Sequence, residues 1–258
     1  MKTAIVTGAA SGIGAAVRQQ LSQAGMRVIG IDLRHSDICA DLSSEAGRSY
    51  AINAALRLSE NKIDALVCSA GLGPQAEPAA AIAAVNYFGV VALLDGLFDA
   101  LKAGCRASAV VVSSSSATLQ SWTDSPLRHA YLDGDEEQVT AMLAAMPEEQ
   151  AGYAAYASSK NAVAVAVRQR AASWGAAGVR LNAVAPGAVQ TPLLEAGLSD
   201  PRYGAAIRNF VAPIGARAQP GDIAALIRFL ASDNAPFIHG SVLFADGGID
   251  ATMRPFDF

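Results

Sequence analysis

Short apolar segments alternate with longer segments of helical periodicity along the whole chain. The first three are an apolar, β-branched stretch at residues 3–7, a helical stretch at residues 12–25 that ends on glycine, and a second apolar stretch at residues 26–32. Glycine after the last periodic residue is a common helix end. Two apolar strands that flank one helix form a βαβ unit. The pattern therefore predicts that the fold begins with a βαβ unit.

The same alternation continues towards the C-terminal end of the chain. Further helices are predicted over residues 44–58, 81–102, 150–174 and 222–231, and further strands over residues 63–69, 109–113, 179–184 and 241–244. Strands that alternate with helices favour a mainly parallel sheet with right-handed crossovers. We therefore predict an α/β fold in which residues 1–258 form one domain, a doubly wound Rossmann-type parallel sheet with helices on both faces.

Residues 117–149 interrupt this alternation, and they contain two predicted helices. Ser125 and Pro126 form a good N-cap and first turn, and Gly134 can end that helix. Asp135 begins the second helix, in which apolar residues recur at intervals of three and four on one face. These residues are Val139, Met142, Leu143 and Met146. This helical insertion either packs on its own domain or forms a lid or a subunit contact.

Composition narrows the possible partners. The chain is 52% hydrophobic and only 16% charged, which suits a sheet buried on both faces under closely packed helices. The net charge is −4, and no run of lysine or arginine offers a surface to a phosphodiester backbone. We therefore expect no nucleic-acid partner.

Neither a membrane segment nor a metal site is expected. The longest apolar stretches are broken by glycine or polar residues before the roughly 18 to 20 residues that span a bilayer. The N-terminal segment lacks the apolar region of a signal peptide, so a cytoplasmic location is expected. The cysteines and histidines are scattered without a CxxC pair, which indicates reduced cysteines and no metal ligands. They are Cys39, Cys68, Cys105, His35, His129 and His239.

The loop between the first strand and the first helix reads TGAASGIG, from Thr7 to Gly14. Glycines here permit a tight turn, let the backbone approach a pyrophosphate, and place the free N–H groups of the helix start against negative charge. On its own such a glycine trio also fits a purely structural turn. The predicted pyrophosphate contacts are Gly8, Ser11, Gly12, Ile13 and Gly14.

Asp32 ends the second predicted strand, near the roughly 20-residue spacing expected for an acid that binds the adenosine ribose. A carboxylate accepts hydrogen bonds from the ribose hydroxyls and repels a 2′-phosphate. The next residue, Leu33, offers no cation, although Arg34 lies close by. The cofactor is therefore predicted to be NAD and not NADP, while a solvated turn aspartate remains the plainer alternative.

Tyr156 and Lys160 lie four residues apart, and hence on one face of the predicted helix. A phenol with an ordinary pKa near 10 is a poor base at neutral pH, but a neighbouring cation and an oxidised nicotinamide would favour the phenolate. Tyr156 could then take the proton from an alcohol while hydride leaves its carbon. A bare YxxxK is common by chance, and its position after a glycine-rich βαβ unit is what favours this acid/base pair.

These motifs together resemble the short-chain dehydrogenase/reductase family over essentially the whole chain. The matching stretches are TGAASGIG, the YASSK around Tyr156, the strand that ends in Ser113-Ser114, VNYFG with Asn86, LNAVAPGAVQT ending at Thr191, and ADGG at Asp246. The resemblance implies that Ser114 binds the substrate oxygen, that Lys160 also binds the nicotinamide ribose, and that Asn86 holds a water in a proton relay. It also implies contacts to the carboxamide, to the adenine and to the cofactor at the end of a central strand. These residues are Thr191 and Val189, Asp41 and Leu42, and Ala70 and Gly71.

Two features depart from the family pattern. Residues 68–71 read Cys-Ser-Ala-Gly where the family usually has Asn-Asn-Ala-Gly, so the sheet contact of that asparagine must be made differently. Ser114 and Tyr156 are also separated by much more than the usual dozen or so residues, which places the insertion beside the active site. Because Ser114 belongs to a run of four serines, its register could be off by one.

The chain further resembles the bacterial 3α-hydroxysteroid dehydrogenase/carbonyl reductase branch of this family. The resemblance is carried by the insertion, VNYFG, the stretch AGVRLNAVAPGAVQTPLLEAGLSDPRYG and the ending GGIDATMRPFDF. Residues 192–218 form a predicted substrate lid with few charges, and apolar residues of the lid and insertion favour an apolar secondary alcohol or ketone as substrate. They are Leu119, Trp122, Leu193, Leu194, Leu198 and Phe210. The alternatives are a dehydrogenase of small aromatic or alicyclic alcohols or dihydrodiols, and an NAD-sensing regulatory protein. A homodimer is expected, through a surface other than the helices that flank the active site.

Overall fold

A single parallel sheet runs through the part of the chain that the computed structural model describes, residues 1–119, 122 and 124–257. Its strands are β1 (Thr3–Thr7), β2 (Arg27–Asp32), β3 (Ile38–Cys39), β4 (Ala65–Cys68), β5 (Ser108–Val112), β6 (Arg180–Pro186) and β7 (Val242–Ala245). They lie side by side in the order β3-β2-β1-β4-β5-β6-β7. The order reverses between β1 and β4, and in open α/β sheets ligands bind in the crevice at such a point.

Helices cover both faces of this sheet. They are α1 (Gly12–Gln23), α2 (Glu45–Leu58), α3 (Ala79–Ala83), α4 (Val90–Gly96), α5 (Phe98–Lys102), α6 (Pro126–Leu132), α7 (Glu136–Ala144), α8 (Glu148–Gln169), α9 (Ala171–Ala176), α10 (Pro192–Ser199), α11 (Gly204–Asn209), α12 (Pro220–Ala231) and α13 (Ile249–Met253). A π-helical turn over Ala84–Gly89 joins α3 to α4. The predicted doubly wound α/β fold is confirmed.

The apolar strands divide their side chains between two cores. In β1, Ile5 points into the core under α2, α4 and α8, whereas Ala4 and Val6 point into the core under α1 and α12. All five residues of β1 are buried. A strand covered by helices on both faces has no solvent face, so it reads as a continuous apolar run without polar alternation.

Several short elements and helix boundaries differ from the predictions. The two-residue strand β3 and the five-residue helix α13 were not predicted, because they contain too few residues to show a period. The predicted helix over residues 150–174 is interrupted at Arg170, which lies between α8 and α9. The predicted helix over residues 81–102 is broken into α3, the π-helical turn, α4 and α5.

Residues Ala79–Gly96 are long and apolar enough to cross a membrane by length and composition, with a mean hydropathy of 1.6. The expectation that glycine or polar residues break every such stretch was wrong here, because Asn86 and Gly89 lie inside a continuous helical segment. In the structure, 56% of this stretch is buried inside the domain. Ile82, Leu93 and Leu94 are among its fully enclosed core residues.

The insertion packs against its own domain. Tyr131 of α6 is fully buried, and its ring lies 5.0 Å from the ring of Tyr87 and 5.8 Å from that of Phe88, between centroids. Val139 and Leu143 of α7 are also buried in this core, as the apolar periodicity predicts. Helices α6 and α7 thus cover a face that includes the π-helical turn and α8.

Candidate active site

A cavity of about 440 Å³ opens at the carboxyl ends of the central strands. Of the residues predicted to bind the cofactor or act in catalysis, all but Asn86 line its wall: Gly8, Ser11, Gly12, Ile13, Gly14, Asp32, Asp41, Leu42, Ala70, Gly71, Ser114, Tyr156, Lys160, Val189 and Thr191. These residues come from loops, helix segments and a strand end that are far apart in the sequence. The parallel sheet brings them together because all its strands end at the same edge.

The glycine loop between β1 and α1 requires glycine at specific points. Gly8 has φ +67°, a left-handed conformation that side chains rarely adopt. A Cβ on Gly14 would lie 2.1 Å from the carbonyl oxygen of Gly8, so the start of α1 packs directly on the end of β1. Ser11 is the N-cap of α1, and its hydroxyl makes no capping hydrogen bond among the described residues. The free N–H groups at this helix start therefore face the cavity beside an uncommitted hydroxyl, which fits a pyrophosphate.

Asp32 lies at the end of β2, where its carboxylate is held by the backbone. One oxygen accepts a hydrogen bond from Ala10 N at 2.9 Å, and the other accepts one from Leu33 N at 2.7 Å. These two bonds fix the carboxylate on the cavity wall beside the glycine loop. Each carboxylate oxygen keeps further acceptor capacity, so the group can still bind ribose hydroxyls.

The central strands are joined across the switch point by Thr7. Its hydroxyl oxygen accepts hydrogen bonds from Ser69 N at 3.0 Å and from Ala70 N at 2.9 Å. This contact holds the Cys-Ser-Ala-Gly loop where the family usually has asparagines. Cys68 itself is buried, and burial raises the pKa of its thiol to about 12, which keeps it protonated and unreactive.

Two serines with different partners directly follow strand β5. The hydroxyl of Ser113 donates a 2.7 Å hydrogen bond to the carbonyl of Lys160, so it ties β5 to α8. The hydroxyl oxygen of Ser114 accepts from Ser116 N at 3.1 Å and lies on the cavity wall next to Tyr156. This difference favours Ser114, and not Ser113, as the residue that would contact a substrate oxygen.

Helix α8 carries Tyr156 and Lys160 on one face. The Lys160 ammonium donates a 2.9 Å hydrogen bond to the carbonyl of Val112 and lies 6.0 Å from the centre of the Tyr156 ring. Burial lowers the pKa of Lys160 to about 8. Burial also raises the pKa of Tyr156, and a hydrogen bond with Ser114 opposes that rise. The lowering of the phenol pKa by Lys160 and an oxidised nicotinamide therefore stays a prediction.

Asn86 lies behind the cavity in the π-helical turn and is fully buried. Its side-chain oxygen accepts from Leu72 N at 2.8 Å, and its side-chain nitrogen donates to Leu72 O at 3.0 Å. Both polar atoms thus hold the loop after β4 in place. The side chain therefore has a clear positioning role, while its part in a water-mediated proton relay stays a prediction.

The substrate end of the cavity has an apolar wall, and the first residues of the predicted lid form part of it. Leu72, Pro192, Leu193 and Leu194 line it. Thr191 caps the first lid helix, α10: its hydroxyl accepts from Leu194 N at 3.2 Å and donates to Val189 O at 3.2 Å. A β-bridge between Val189 and Ala218 joins the two ends of the lid segment. Tyr153 is half-buried near Tyr156.

Sequence reasoning missed several residues that hold the site together. The carbonyl of Val112 and the hydroxyl of Ser113 position Lys160, and Arg48 binds two carbonyl groups of the loop at residues 41–44. Arg202 joins the lid to the loop after β4, through Glu77 at 2.7 Å. The partners of Lys160 and Arg202 are far apart in the sequence, and the bonds of Arg48 go to backbone carbonyls, so no pattern of side chains indicates these contacts.

A parallel sheet with a glycine cradle, an acid at the end of β2 and a serine, tyrosine and lysine at one cavity defines a one-domain dinucleotide-binding oxidoreductase. The chain belongs to the short-chain dehydrogenase/reductase family. The family model described as short chain dehydrogenase matches residues 2–126, and the one described as Enoyl-(Acyl carrier protein) reductase matches residues 136–250. Residues 127–135, between the two matches, lie within the insertion.

The most informative similarities extend over the full chain. It is 48% identical over 258 residues to the 3-alpha-hydroxysteroid dehydrogenase/carbonyl reductase of Comamonas testosteroni, and covers 100% of both chains. It is 31% identical over 268 residues to the cis-4-hydroxycyclohexanecarboxylate dehydrogenase of Sinomonas cyclohexanicum, covering 97% of each. Among solved structures, the 3-alpha-hydroxysteroid dehydrogenase from Pseudomonas sp. B-0831 complexed with NADH matches with a TM-score of 0.95 and 48% identity, over 100% of both chains.

Proposed function

We propose that this protein is an NAD-dependent dehydrogenase that interconverts a secondary alcohol and a ketone on an apolar substrate, with 3α-hydroxysteroids as the preferred class. The observation that carries the proposal is the placement of Ser114, Tyr156 and Lys160 on the wall of the same cavity as Asp32 and the glycine loop. A substrate beside the tyrosine would therefore lie next to the nicotinamide of a cofactor whose ribose reaches Asp32. The full-length similarity to two 3α-hydroxysteroid dehydrogenases supports the substrate class.

In the proposed reaction, NAD⁺ held by the glycine loop and Asp32 would supply the hydride acceptor for the carbinol carbon. The hydroxyl of Ser114 hydrogen-bonds the substrate oxygen and orients it towards the phenol of Tyr156. The Tyr156 oxygen receives the alcohol proton during oxidation and returns it during ketone reduction. Lys160, fixed by Val112, holds positive charge near the Tyr156 ring and would bind the nicotinamide ribose.

The charges around the cavity favour NAD over NADP. Asp32 and Asp41 give the adenosine end a negative character, and hydrogen bonds with Ser43 hold the pKa of Asp41 below its usual range. Among the lining residues that the structure describes, Lys160 is the cation, and its ammonium is bonded to the carbonyl of Val112, away from Asp32. A 2′-phosphate beside Asp32 would thus meet repulsion without a compensating partner on the described wall.

A dehydrogenase of small alicyclic alcohols is the second candidate, and the relative from Sinomonas cyclohexanicum favours it. The apolar lining by Leu72, Leu193 and Leu194 accommodates a cyclohexane ring as well as a steroid. A substrate carboxylate, however, needs a cation as partner. On the described cavity wall that cation is Lys160, and its ammonium already donates to the carbonyl of Val112. We therefore place uncharged, larger alicyclic alcohols ahead of hydroxy acids.

Initial rates of nicotinamide reduction test the reaction and the substrate class together. Purified protein is assayed with NAD⁺ or NADP⁺ against 3α-hydroxysteroids and a panel of small secondary alcohols. Turnover of steroids with NAD⁺ is expected. Turnover of small alcohols alone would keep the mechanism and refute the steroid assignment, and NADH binding without any turnover would favour an NAD-sensing regulatory protein.

Tyr156→Phe tests the acid/base assignment. Removing the phenol oxygen leaves no group to carry the proton, so kcat should fall about 10³-fold, within the range typical of general acid–base catalysis. Tyr153→Phe is the matched control, since it removes a phenol oxygen one helical turn away and should keep most activity. Near-normal turnover by the Tyr156 variant would refute this mechanism.

We also propose that the protein forms a homodimer through a surface other than the helices beside the active site. The insertion packs on the face that includes α8, which supports a different contact. Phe237, fully exposed in the single chain, and Phe229, 40% exposed, provide apolar surface elsewhere. Sedimentation velocity should give a dimer, and a tetramer would contradict this assembly.

A further inference from the structure

Helix α7 of the insertion is linked to the adenosine end of the cavity through Arg48. Glu136 lies in the first turn of α7, and its carboxylate accepts a 2.8 Å hydrogen bond from Nη1 of Arg48 and a second bond from Nη2 of the same guanidinium. Asp135, as N-cap, accepts from Gln138 N at 2.8 Å and fixes the start of the helix. The insertion therefore presents Glu136 in a defined position to Arg48 of α2.

The same guanidinium also holds the backbone of the loop between β3 and α2. Its Nε donates to the carbonyl of Leu42 at 3.0 Å, and Nη2 donates to the carbonyl of Ser43 at 3.1 Å. Arg48 is only 8% exposed, and its charge lies 5.9 Å from the centre of the Phe88 ring. One arginine thus links the insertion, the core and the loop.

Leu42 and Ser43 both line the cavity on the side of Asp32. Within the loop, Asp41 accepts hydrogen bonds from Ser43 N at 2.9 Å and, through its carbonyl, from the Ser44 hydroxyl at 3.2 Å. These are contacts between near neighbours, which shape the loop but do not anchor it to the rest of the domain. Arg48 supplies an anchor from the following helix.

We infer that the insertion supports cofactor binding, with Glu136 as a positioning residue: Glu136 holds Arg48, and Arg48 holds the carbonyls of Leu42 and Ser43 where the loop meets the adenosine moiety of NAD. This inference rests on the proposed NAD-binding function. It gives the insertion a role at the cofactor end of the cavity, at the far side from the substrate lid.

The charge of Glu136 is what makes the arrangement depend on the insertion. A guanidinium that is mostly buried needs a counter-charge, because taking a cation out of water without one is unfavourable. Without that counter-charge, Arg48 gains by turning towards solvent, and it then releases the two carbonyl groups. The loop would spend more time away from its binding position, and the apparent affinity for the adenosine moiety would fall in proportion.

Glu136→Gln tests the inference, because the side chain keeps its size and loses its charge. The dissociation constants of NADH and of ADP-ribose are measured by calorimetry, alongside KM and kcat for the alcohol at saturating NAD⁺. We expect Kd to rise about fivefold for both nucleotides, a change of about 1 kcal/mol. Because ADP-ribose lacks the nicotinamide, an equal effect on both places the loss at the adenosine end. KM for the alcohol and kcat should stay unchanged.

Glu137→Gln is the matched control, since it makes the same charge change at the next, exposed position of α7. It should leave both Kd values at the level of the unmodified protein. Arg48→Lys keeps the charge but cannot reproduce the fork of the guanidinium, so it should weaken both nucleotides at least as much. In the Arg48→Lys background, Glu136→Gln should then have less than its single effect.

The outcomes separate this inference from the function on which it rests. Tight NADH binding by the unmodified protein and by Glu136→Gln alike would overturn the inference and leave the proposed function intact. Failure of the unmodified protein to bind NADH would overturn both. An increase in alcohol KM or a fall in kcat without a change in either Kd would also overturn the inference, because it would place the insertion at the substrate end.

Discussion

The adenosine end and the substrate end of the cavity are held by different kinds of contact. At the adenosine end, backbone groups do most of the positioning: Asp32 accepts from Ala10 N and Leu33 N, and Gly14 packs on the carbonyl of Gly8. At the substrate end, the apolar wall and the lid are joined by side chains from distant segments, such as Arg202 with Glu77. The cofactor end therefore depends mainly on main-chain geometry, with Arg48 and Glu136 as its link to the insertion. The substrate end depends mainly on side-chain contacts.

This difference explains how the substrate class can change within one fold while the cofactor class stays the same. Backbone contacts around a glycine turn tolerate few substitutions, because a Cβ on Gly14 would meet another main-chain atom. The leucines of the lid can be replaced by other apolar residues without disturbing the sheet. Fold and cofactor can thus stay the same while the substrate changes. Substitutions in the two ends should therefore have separable effects. We expect the largest effect at Lys160, where the two ends meet, a smaller one at the adenosine end and the smallest at the substrate end.

Lys160 lies where the two ends meet, and its burial should make stability depend on pH. Its pKa in the folded protein is about 8, against 10.5 for an unperturbed lysine. Between these values the unfolded chain holds the proton and the folded chain releases it, so stability rises with pH across this window and is lower below pH 8. From pH 7 to pH 9.5 the gain attributable to Lys160 should be about 2 kcal/mol.

Urea unfolding of the unmodified protein and of Lys160→Met at these two pH values measures this contribution. The variant has no titrating group at this position, so the difference between the two proteins isolates Lys160 from the tyrosines and from Cys68. If the free energy of unfolding depended equally on pH in both proteins, the Lys160 ammonium would be solvated. The burial of Lys160 between the two ends of the cavity would then be refuted.

Asp32→Asn tests the adenosine end alone. The amide oxygen can still accept from one backbone N–H, but the group loses the charge that holds ribose hydroxyls and repels a 2′-phosphate. Kd for NAD⁺ should rise about tenfold, close to 1.4 kcal/mol, and the preference over NADP⁺ should shrink. KM for the alcohol at saturating cofactor should not change.

Calorimetry with NADH and NADPH gives the affinities, and steady-state rates give KM for the alcohol. Asp99→Asn, an exposed acid on α5, is the control for the loss of one negative charge. A variant that keeps full preference for NAD would show that the carboxylate is a solvated turn residue, which was the alternative left open by the sequence.

The features that could be predicted from the sequence are those that depend on residues close together in the chain. The sheet, the glycine loop, Asp32 and the pair Tyr156 and Lys160 all depend on short spacings, so period and motif were enough to place them. The two-residue strand β3 and the helix α13 were too short to show a period. The π-helical turn was also missed, because its residues carry the same apolar pattern as the α-helix around it.

The contacts that hold the site were not predictable, because their partners are remote in the chain. Nothing in the spacing around Arg48 points to Glu136, and nothing around Arg202 points to Glu77. The family resemblance favours Ser114 but leaves its register open by one, and the bond from Ser113 to the carbonyl of Lys160 supports that choice. Such pairs depend on how elements pack against one another, which the local pattern of a sequence does not encode.

Arg202→Met tests the substrate end alone, and here the smallest effect is expected. Arg202 donates to Glu77 at 2.7 Å, to Asp200 at 2.9 Å and to the carbonyl of Gln75 at 3.3 Å, so it joins the lid to the loop after β4. Because the pair with Glu77 is partly exposed, solvent screens it and each bond contributes little. Methionine keeps the apolar stem and removes these bonds, so the lid should close less often.

KM for the alcohol should rise about threefold in this variant, in line with the fractions of a kcal/mol typical of exposed ion pairs, while Kd for NADH stays the same. Arg228→Met, at an exposed position of α12 away from the lid, is the control. If NADH affinity fell together with alcohol KM, the lid would also hold the cofactor, and the two ends of the cavity could not be treated as independent. If neither changed, the apolar contacts of α10 with the cavity wall would be sufficient to close the lid without the ion pairs.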